Sequence, residues 1–203
     1  MRTGILRSAI ILAGGEAKRA GGREKSLFEY DGIPFIQRLI ESLTGVTNDI
    51  VIVARDEEQC NSFHDLKDVI VVCDIRKKIG PLGGIHAGIK SCSGELIFVT
   101  ACDMPCIHPE VVTRLFESID GHDAAIPRWN KDMIEPLHAV YRKSALAEYL
   151  KEHKSLSIRS LIHNIDAVFV DTESFRDIDP GLETFMNINS IEELERINDK
   201  AGK

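Results

Sequence analysis

The chain has 203 residues, 43% of them hydrophobic and 28% charged, with a formal net charge of −7. That composition fills a core and rules out a disordered tail, and the acidic balance rules out general binding to nucleic acid. No apolar run approaches the ~20 residues of a membrane-spanning helix. The run Ala9–Ala13 behind the basic start is too short for a signal-peptide core, so the expected setting is the cytoplasm, with no membrane partner.

Four short runs, Ser8–Leu12, Ile50–Ala54, Val69–Cys73 and Leu96–Thr100, are apolar on both faces and rich in β-branched residues. This is the pattern of buried parallel strands. Between the first two, Phe35, Ile36, Leu39, Ile40 and Leu43 recur at helical spacing behind Pro34, which predicts a helix over Pro34–Leu43. Gly83–Ser91 and His108–Ile119 read as the helices after the third and fourth strands. Further on, Ala124–Pro127 and Glu135–Tyr141 read as strands, Lys143–Lys151 and Leu156–His163 as helices, and Ala167–Val170 as a strand. A last helix over Ile191–Ile197 follows Ser190, with Glu193 placed for a capping box. The length and the absence of a linker or repeat predict one domain over residues 1–203. Alternating strands and helices predict an α/β fold, a doubly wound, mostly parallel central sheet with helices on both faces.

The five cysteines (Cys60, Cys73, Cys92, Cys102, Cys106) are odd in number and form no CxxC pair, so they read as free thiols, with Cys73 packed inside its strand. Cys102, Cys106 and His108 lie close in sequence, but no second ligand pair stands at a spacing suited to structural zinc.

The turn after the first strand, Leu12-Ala13-Gly14-Gly15, runs on through Arg19, Gly21-Gly22 and Lys25. Its glycines let backbone N–H groups approach an anion. Lys18, Arg19, Arg23 and Lys25 stand there against Glu16 and Glu24, a local positive site in an acidic chain. Neither a P-loop nor a GxGxxG fingerprint can be drawn through it. The strand Glu95–Asp103 ends in a carboxylate that should emerge at the same sheet edge; it suits Mg²⁺ that takes its other ligands from phosphates, although taken alone it better suits a turn cap. A third element, Gly80–Gly88, opens a helix where an anion could sit, preceded by Asp74 and the basic Arg76, Lys77 and Lys78.

Taken in order, these segments resemble the signature of molybdenum cofactor guanylyltransferases of the MobA type. Gly80–Gly88 resembles that family's second glycine motif, Cys102-Asp103-Met104-Pro105 its metal motif, Glu135–Tyr141 its acceptor-side strand, and Phe185-Met186-Asn187-Ile188-Asn189-Ser190 its closing segment. The resemblance covers Ser8 to about Leu194. It implies a Rossmann-like nucleotidyltransferase fold of the nucleotide-diphospho-sugar transferase type. It also implies Mg²⁺-dependent transfer of GMP from GTP to a molybdopterin-type acceptor, with release of pyrophosphate. Carried over, Leu12, Ala13, Gly14 and Gly15 line the nucleotide, Lys25 and Arg19 meet its phosphates and act in catalysis, and Asp74 contacts the nucleoside. Asp103 holds the metal with Asn189 nearby, and Gly80, Pro81, Gly83, Gly84 and His138 fall on the acceptor side. His86 and the single tryptophan, Trp129, could also touch a pterin, although a structural role suits the histidines as well. The chain departs from the family at Ala20, Glu24 and Ala54, where methionine, aspartate and asparagine are usual; the last leaves base preference open. Transfer of CMP, another phosphorylated acceptor, and a non-catalytic nucleotide-binding accessory protein are the alternatives. Partners beyond the substrates would be molybdoenzymes or other cofactor-synthesis proteins, met transiently.

Overall fold

The computed structural model describes residues 4–14, 25–74, 80–152, 157–190 and 192–195. Its framework is a seven-stranded sheet. Four strands come from the first half, β1 (Arg7–Leu12), β4 (Asp49–Ala54), β5 (Ile70–Cys73) and β6 (Leu96–Ala101). Three come from the second, β7 (Ala124–Arg128), β8 (His138–Arg142) and β9 (Ala167–Asp171). The order is β5-β4-β1-β6-β8-β7-β9. All neighbours pair in parallel except those of β8, which runs antiparallel to both β6 and β7. The carboxyl ends of β1, β4, β5, β6 and β7 therefore share one edge, where ligands of open α/β sheets bind.

Side chains alternate across the sheet with period two, and the two faces bury different helices. Ala9, Ile11, Ile50, Ile52 and Phe98 pack with Ile36, Leu39 and Leu43 of α1 (Phe35–Leu43) and with Val112, Leu115 and Phe116 of α4 (Pro109–Ser118). On the other face, Ile10, Leu12, Val51, Val53 and Val99 pack with Leu82 and Ile85 of α3 (Pro81–Gly88). Leu146 and Tyr149 of α5 (Lys143–Glu152) and Leu161 of α6 (Ile158–Asn164) extend that second layer.

Helix α3 sits unusually close to β1. A Cβ on Gly84 would lie 2.8 Å from Leu12 Cδ2, and one on Gly88 2.8 Å from Ile10 Cδ1. Two of the glycines read as an anion cradle thus serve helix–sheet packing.

Two small elements were not expected. A hairpin of β2 (Glu29–Tyr30) and β3 (Ile33–Pro34) turns through Asp31 and Gly32, both at positive φ (55° and 72°), the conformation a two-residue hairpin needs. Helix α2 (Glu57–Ser62) starts at Asp56, whose side chain accepts the Gln59 N–H. The cysteine reading is corrected: Cys60 on α2 and Cys73 on β5 form a disulfide, because β5 pairs with the strand that leads into α2. Cys92, Cys102 and Cys106 remain thiols, and burial pushes those of Cys92 and Cys106 up to about 12 and about 11. No described helix is long and apolar enough to cross a membrane.

Candidate active site

Four segments meet at the shared sheet edge. Parallel register pairs Leu12 with Val53 and with Ala101, and Ala54 with Cys73. The residues that follow, Ala13 and Gly14, Arg55, Asp74, and Cys102 and Asp103, leave their strands side by side. The chain is tightly drawn there: the Ala13 and Gly14 N–H groups both donate to Val53 O (3.0 and 3.2 Å), and Cys102 N–H donates to Leu12 O (3.1 Å). Leu12 and Ala13 are buried. Gly14 is exposed and passes so near Arg55 that a Cβ would lie 3.2 Å from its N and Cα. Asp74 N–H donates to Ala54 O at 2.7 Å, which ties the end of β5 to β4.

The charged centre is assembled from distant parts of the chain. Lys25 Nζ lies 3.1 Å from Asp103 Oδ2 and donates to Asn189 Oδ1, also at 3.1 Å. The Lys25 and Asp103 side chains are 21% and 23% exposed, enough for a ligand to reach them. Packing explains the convergence. Phe28, one turn after Lys25, shares a small cluster with Phe35, Ile188 and Leu194, and Ile188 N–H donates to Asp103 O at 2.8 Å. Asn189 is held from its other side: Glu193 Oε2 accepts its N–H at 2.7 Å, while Ser190 Oγ accepts the Glu193 N–H at 3.2 Å. That is the expected cap, with Glu193 reaching one residue further back. Of the predicted last helix, residues 192–195 are described and helical.

Among the described residues no three His, Cys, Asp or Glu side chains gather as a ready-made metal cage. Asp103 and Asn189 offer two hard oxygen donors, and Mg²⁺ tolerates so few protein ligands when water and phosphate oxygens complete its shell. The donor set fits such an ion.

Other predicted positions fall elsewhere. Gly15, Arg19 and the basic residues 76–78 lie outside the described residues. Gly80 and Pro81 are exposed at the start of α3, whereas Gly83 and Gly84 are buried in its packing against the sheet. His138 is corrected to a core residue. It is 0% exposed, with ring centroids 5.0 Å from Phe98 and from Phe185 and Nε2 3.2 Å from Thr184 Oγ1, so it presents no surface to an acceptor. Desolvation lowers it to about 3, which keeps it neutral. Trp129 packs edge-on against Phe185, and its indole N–H donates to Glu135 Oε1 at 2.8 Å.

The domain model for MobA-like NTP transferases matches residues 9–168. The chain belongs to the MobA-like NTP transferase family. Family relatives align over nearly its whole length. The protein of Methanosarcina mazei named "Probable molybdenum cofactor guanylyltransferase" is 42% identical over 200 residues, covering 94% of this chain and 89% of that one. The molybdenum cofactor guanylyltransferase of Desulfosudis oleivorans is 33% identical, covering 97% of each. Among solved structures, molybdopterin-guanine dinucleotide biosynthesis protein A of Archaeoglobus fulgidus superposes with a TM-score of 0.79 at 29% identity, covering 96% of this chain and 98% of that one. A 2-C-methyl-D-erythritol 4-phosphate cytidylyltransferase of Thermus thermophilus superposes at 0.68 with 13% identity, covering 97% and 98%; that likeness concerns the fold alone. MobA-like membership makes the chain a nucleotidyltransferase on a mostly parallel sheet of the nucleotide-diphospho-sugar transferase type.

One residue at this edge escaped sequence reasoning. Gln59 is 2% exposed, its Nε2 donates to Ala13 O at 3.2 Å, and its Oε1 accepts Arg55 N–H at 2.8 Å. The available signal was Asp56-Glu57-Glu58-Gln59, an N-cap residue followed three places later by glutamine.

Proposed function

We propose that the protein transfers GMP from GTP to the phosphate of a molybdopterin-type cofactor in the cytoplasm, forming the guanine dinucleotide cofactor and pyrophosphate. Residues 1–203 act in this reading as one nucleotidyltransferase domain. The observation that carries it is the Lys25–Asp103–Asn189 cluster, a cation beside two oxygen donors at the carboxyl edge of a sheet whose relatives bear guanylyltransferase names.

The chemistry follows from charge. A phosphate monoester has a second pKa of about 6 and is mostly a dianion at neutral pH, so it attacks without a general base. The obstacle is the approach of one anion to another. Mg²⁺ held by Asp103 and Asn189 would supply neutralisation at the α-phosphate. Lys25 and Arg19 stabilise the charge that builds on departing pyrophosphate, and positioning provides much of the remainder. Leu12, Ala13, Gly14, Gly15 and Asp74 form the nucleoside side of the site. The acceptor enters beyond Asp103, toward Gly80 and Pro81, and product passes in transient contact to molybdoenzymes or other cofactor-synthesis proteins.

The test is incubation with Mg²⁺, molybdenum cofactor and each of the four nucleoside triphosphates. The expected result is the guanine dinucleotide by mass, with stoichiometric pyrophosphate from GTP only. Preferential turnover of CTP would overturn the guanylyl assignment, and GTP binding without pyrophosphate would overturn transfer itself.

A further inference from the structure

The nucleoside edge is organised by a side chain that faces away from solvent. At the end of β1 the backbone has little left to offer a base in N–H groups: those of Ala13 and Gly14 already converge on Val53 O. The Ala13 carbonyl is likewise taken up: its oxygen points into the interior, where it accepts from Gln59 Nε2 at 3.2 Å and lies 3.9 Å from Cys102 Sγ. The other end of the same amide accepts the Arg55 N–H at 2.8 Å, and Arg55 is the residue against which Gly14 makes its closest approach. A single buried amide therefore bridges the exits of β1 and β4. It is itself fixed, because the Gln59 N–H donates to the Asp56 cap at 3.0 Å and the next residue, Cys60, is joined to β5.

We infer that Gln59 is a positioning residue for nucleotide binding: its amide holds the Ala13–Gly14 backbone and the Arg55 backbone at a fixed spacing and orientation where the nucleoside enters. This rests on the reading of the edge as the nucleoside side.

The decisive variant is Gln59→Glu. It keeps the size and the acceptor for Arg55 N–H, but at neutral pH turns a carboxylate oxygen toward Ala13 O. Equilibrium binding of each nucleoside triphosphate to the full chain should show about tenfold weaker GTP binding at pH 8, the scale of one lost and one repulsive hydrogen bond. In turnover, KM for GTP should rise by the same factor, with kcat and the acceptor KM within about twofold. Affinity should then recover as pH falls, since a protonated carboxyl can donate to Ala13 O as the amide does. The wild-type chain, measured over the same range, carries the contributions of Arg55, Asp56 and Asp74 and should show no such recovery. Gln59→Met, of similar length and without polar groups, should bind GTP several-fold more weakly at every pH. Wild-type GTP affinity in either folded variant, or a Gln59→Glu defect that does not change with pH, overturns the inference. If the wild-type chain prefers another nucleoside triphosphate, the guanylyl assignment falls, while the role of Gln59 is read from the same ratios on that nucleotide.

Discussion

Lys25 and Asp103, 78 residues apart in the chain, form a half-open ion pair at 3.1 Å. One oxygen of the carboxylate assigned to the metal thus already faces the cation assigned to the phosphates. An ammonium drawn onto phosphate oxygen would leave both carboxylate oxygens to the metal. Metal and nucleotide are then expected to bind together rather than in sequence.

Lys25→Met separates the two roles. Turnover should fall at least a hundredfold, as it does when a charge-stabilising group is removed from a transition state. Binding of Mn²⁺ in the absence of nucleotide should strengthen by about two- to fivefold, the modest value of a partly exposed ion pair. Weaker metal binding in Lys25→Met would show that the pair does not compete with the ion.

Asp103→Asn keeps the shape of the site and a partner for Lys25 but loses the charge. kcat should drop by about a thousandfold or more, with binding of metal-free GTP within a few-fold of wild type. Asn189→Ala should cost less, about ten- to a hundredfold, since it removes a neutral donor. Pyrophosphate release and equilibrium dialysis measure both.

His138 should make the fold acid-sensitive. Its imidazole titrates near 6.5 when unfolded and is lowered by burial to about 3 when folded. Between those values the unfolded chain holds the extra proton, so stability falls as pH falls. This group contributes about 1.4 kcal/mol per pH unit across that window. Urea unfolding at pH 7, 5.5 and 4.5 should show this slope in wild type, and His138→Phe should flatten it. An unchanged slope in the variant would place the sensitivity elsewhere.

Burial raises the Glu135 carboxyl, opposed by the Trp129 indole that donates to it. With its folded pKa above the unfolded one, Glu135 favours the fold at low pH and loses that contribution as pH rises through the folded value. Glu135→Gln keeps an acceptor for the indole and removes the charge, so at pH 7 it should equal or exceed wild type in stability by up to about 1 kcal/mol. The difference should vanish in acid. As Trp129 is the only tryptophan, its emission should report the titration with a midpoint above the usual carboxylate range.

Much of the sheet was readable because its central strands are buried on both faces and so carry uninterrupted apolar runs: Ser8–Leu12 and Ile50–Ala54 each fall within one residue of β1 and β4. Strand β8 is shorter than Glu135–Tyr141, since Pro136 has no N–H for a ladder and Glu135 N–H donates instead to Pro127 O. The Asp31-Gly32 hairpin and the Asp56 cap carried local signals, but short elements with few apolar residues are outweighed by flanking periodicity. At the site, Lys25, Asp103 and Asn189 are legible as chemistry because charged and amide side chains stand out at strand ends. Gln59 is not, because its importance lies in a contact with Ala13, 46 residues away. His138 misled for the opposite reason: a polar residue type on an acceptor-side segment says nothing of the three aromatic and hydroxyl neighbours that enclose it.

The patch formed by Phe28, Phe35, Ile188 and Leu194 has a consequence for biosynthesis. Every strand of the main sheet has left the ribosome's active centre by Asp171, yet Asn189 and the residues that seat it are still to come. A nascent chain can complete its scaffold while the ammonium of Lys25 still lacks its amide partner. The cluster is complete only when a late-made segment docks onto an early-made one, so a chain truncated after Phe185 would keep all seven strands and lack Asn189 and its seat.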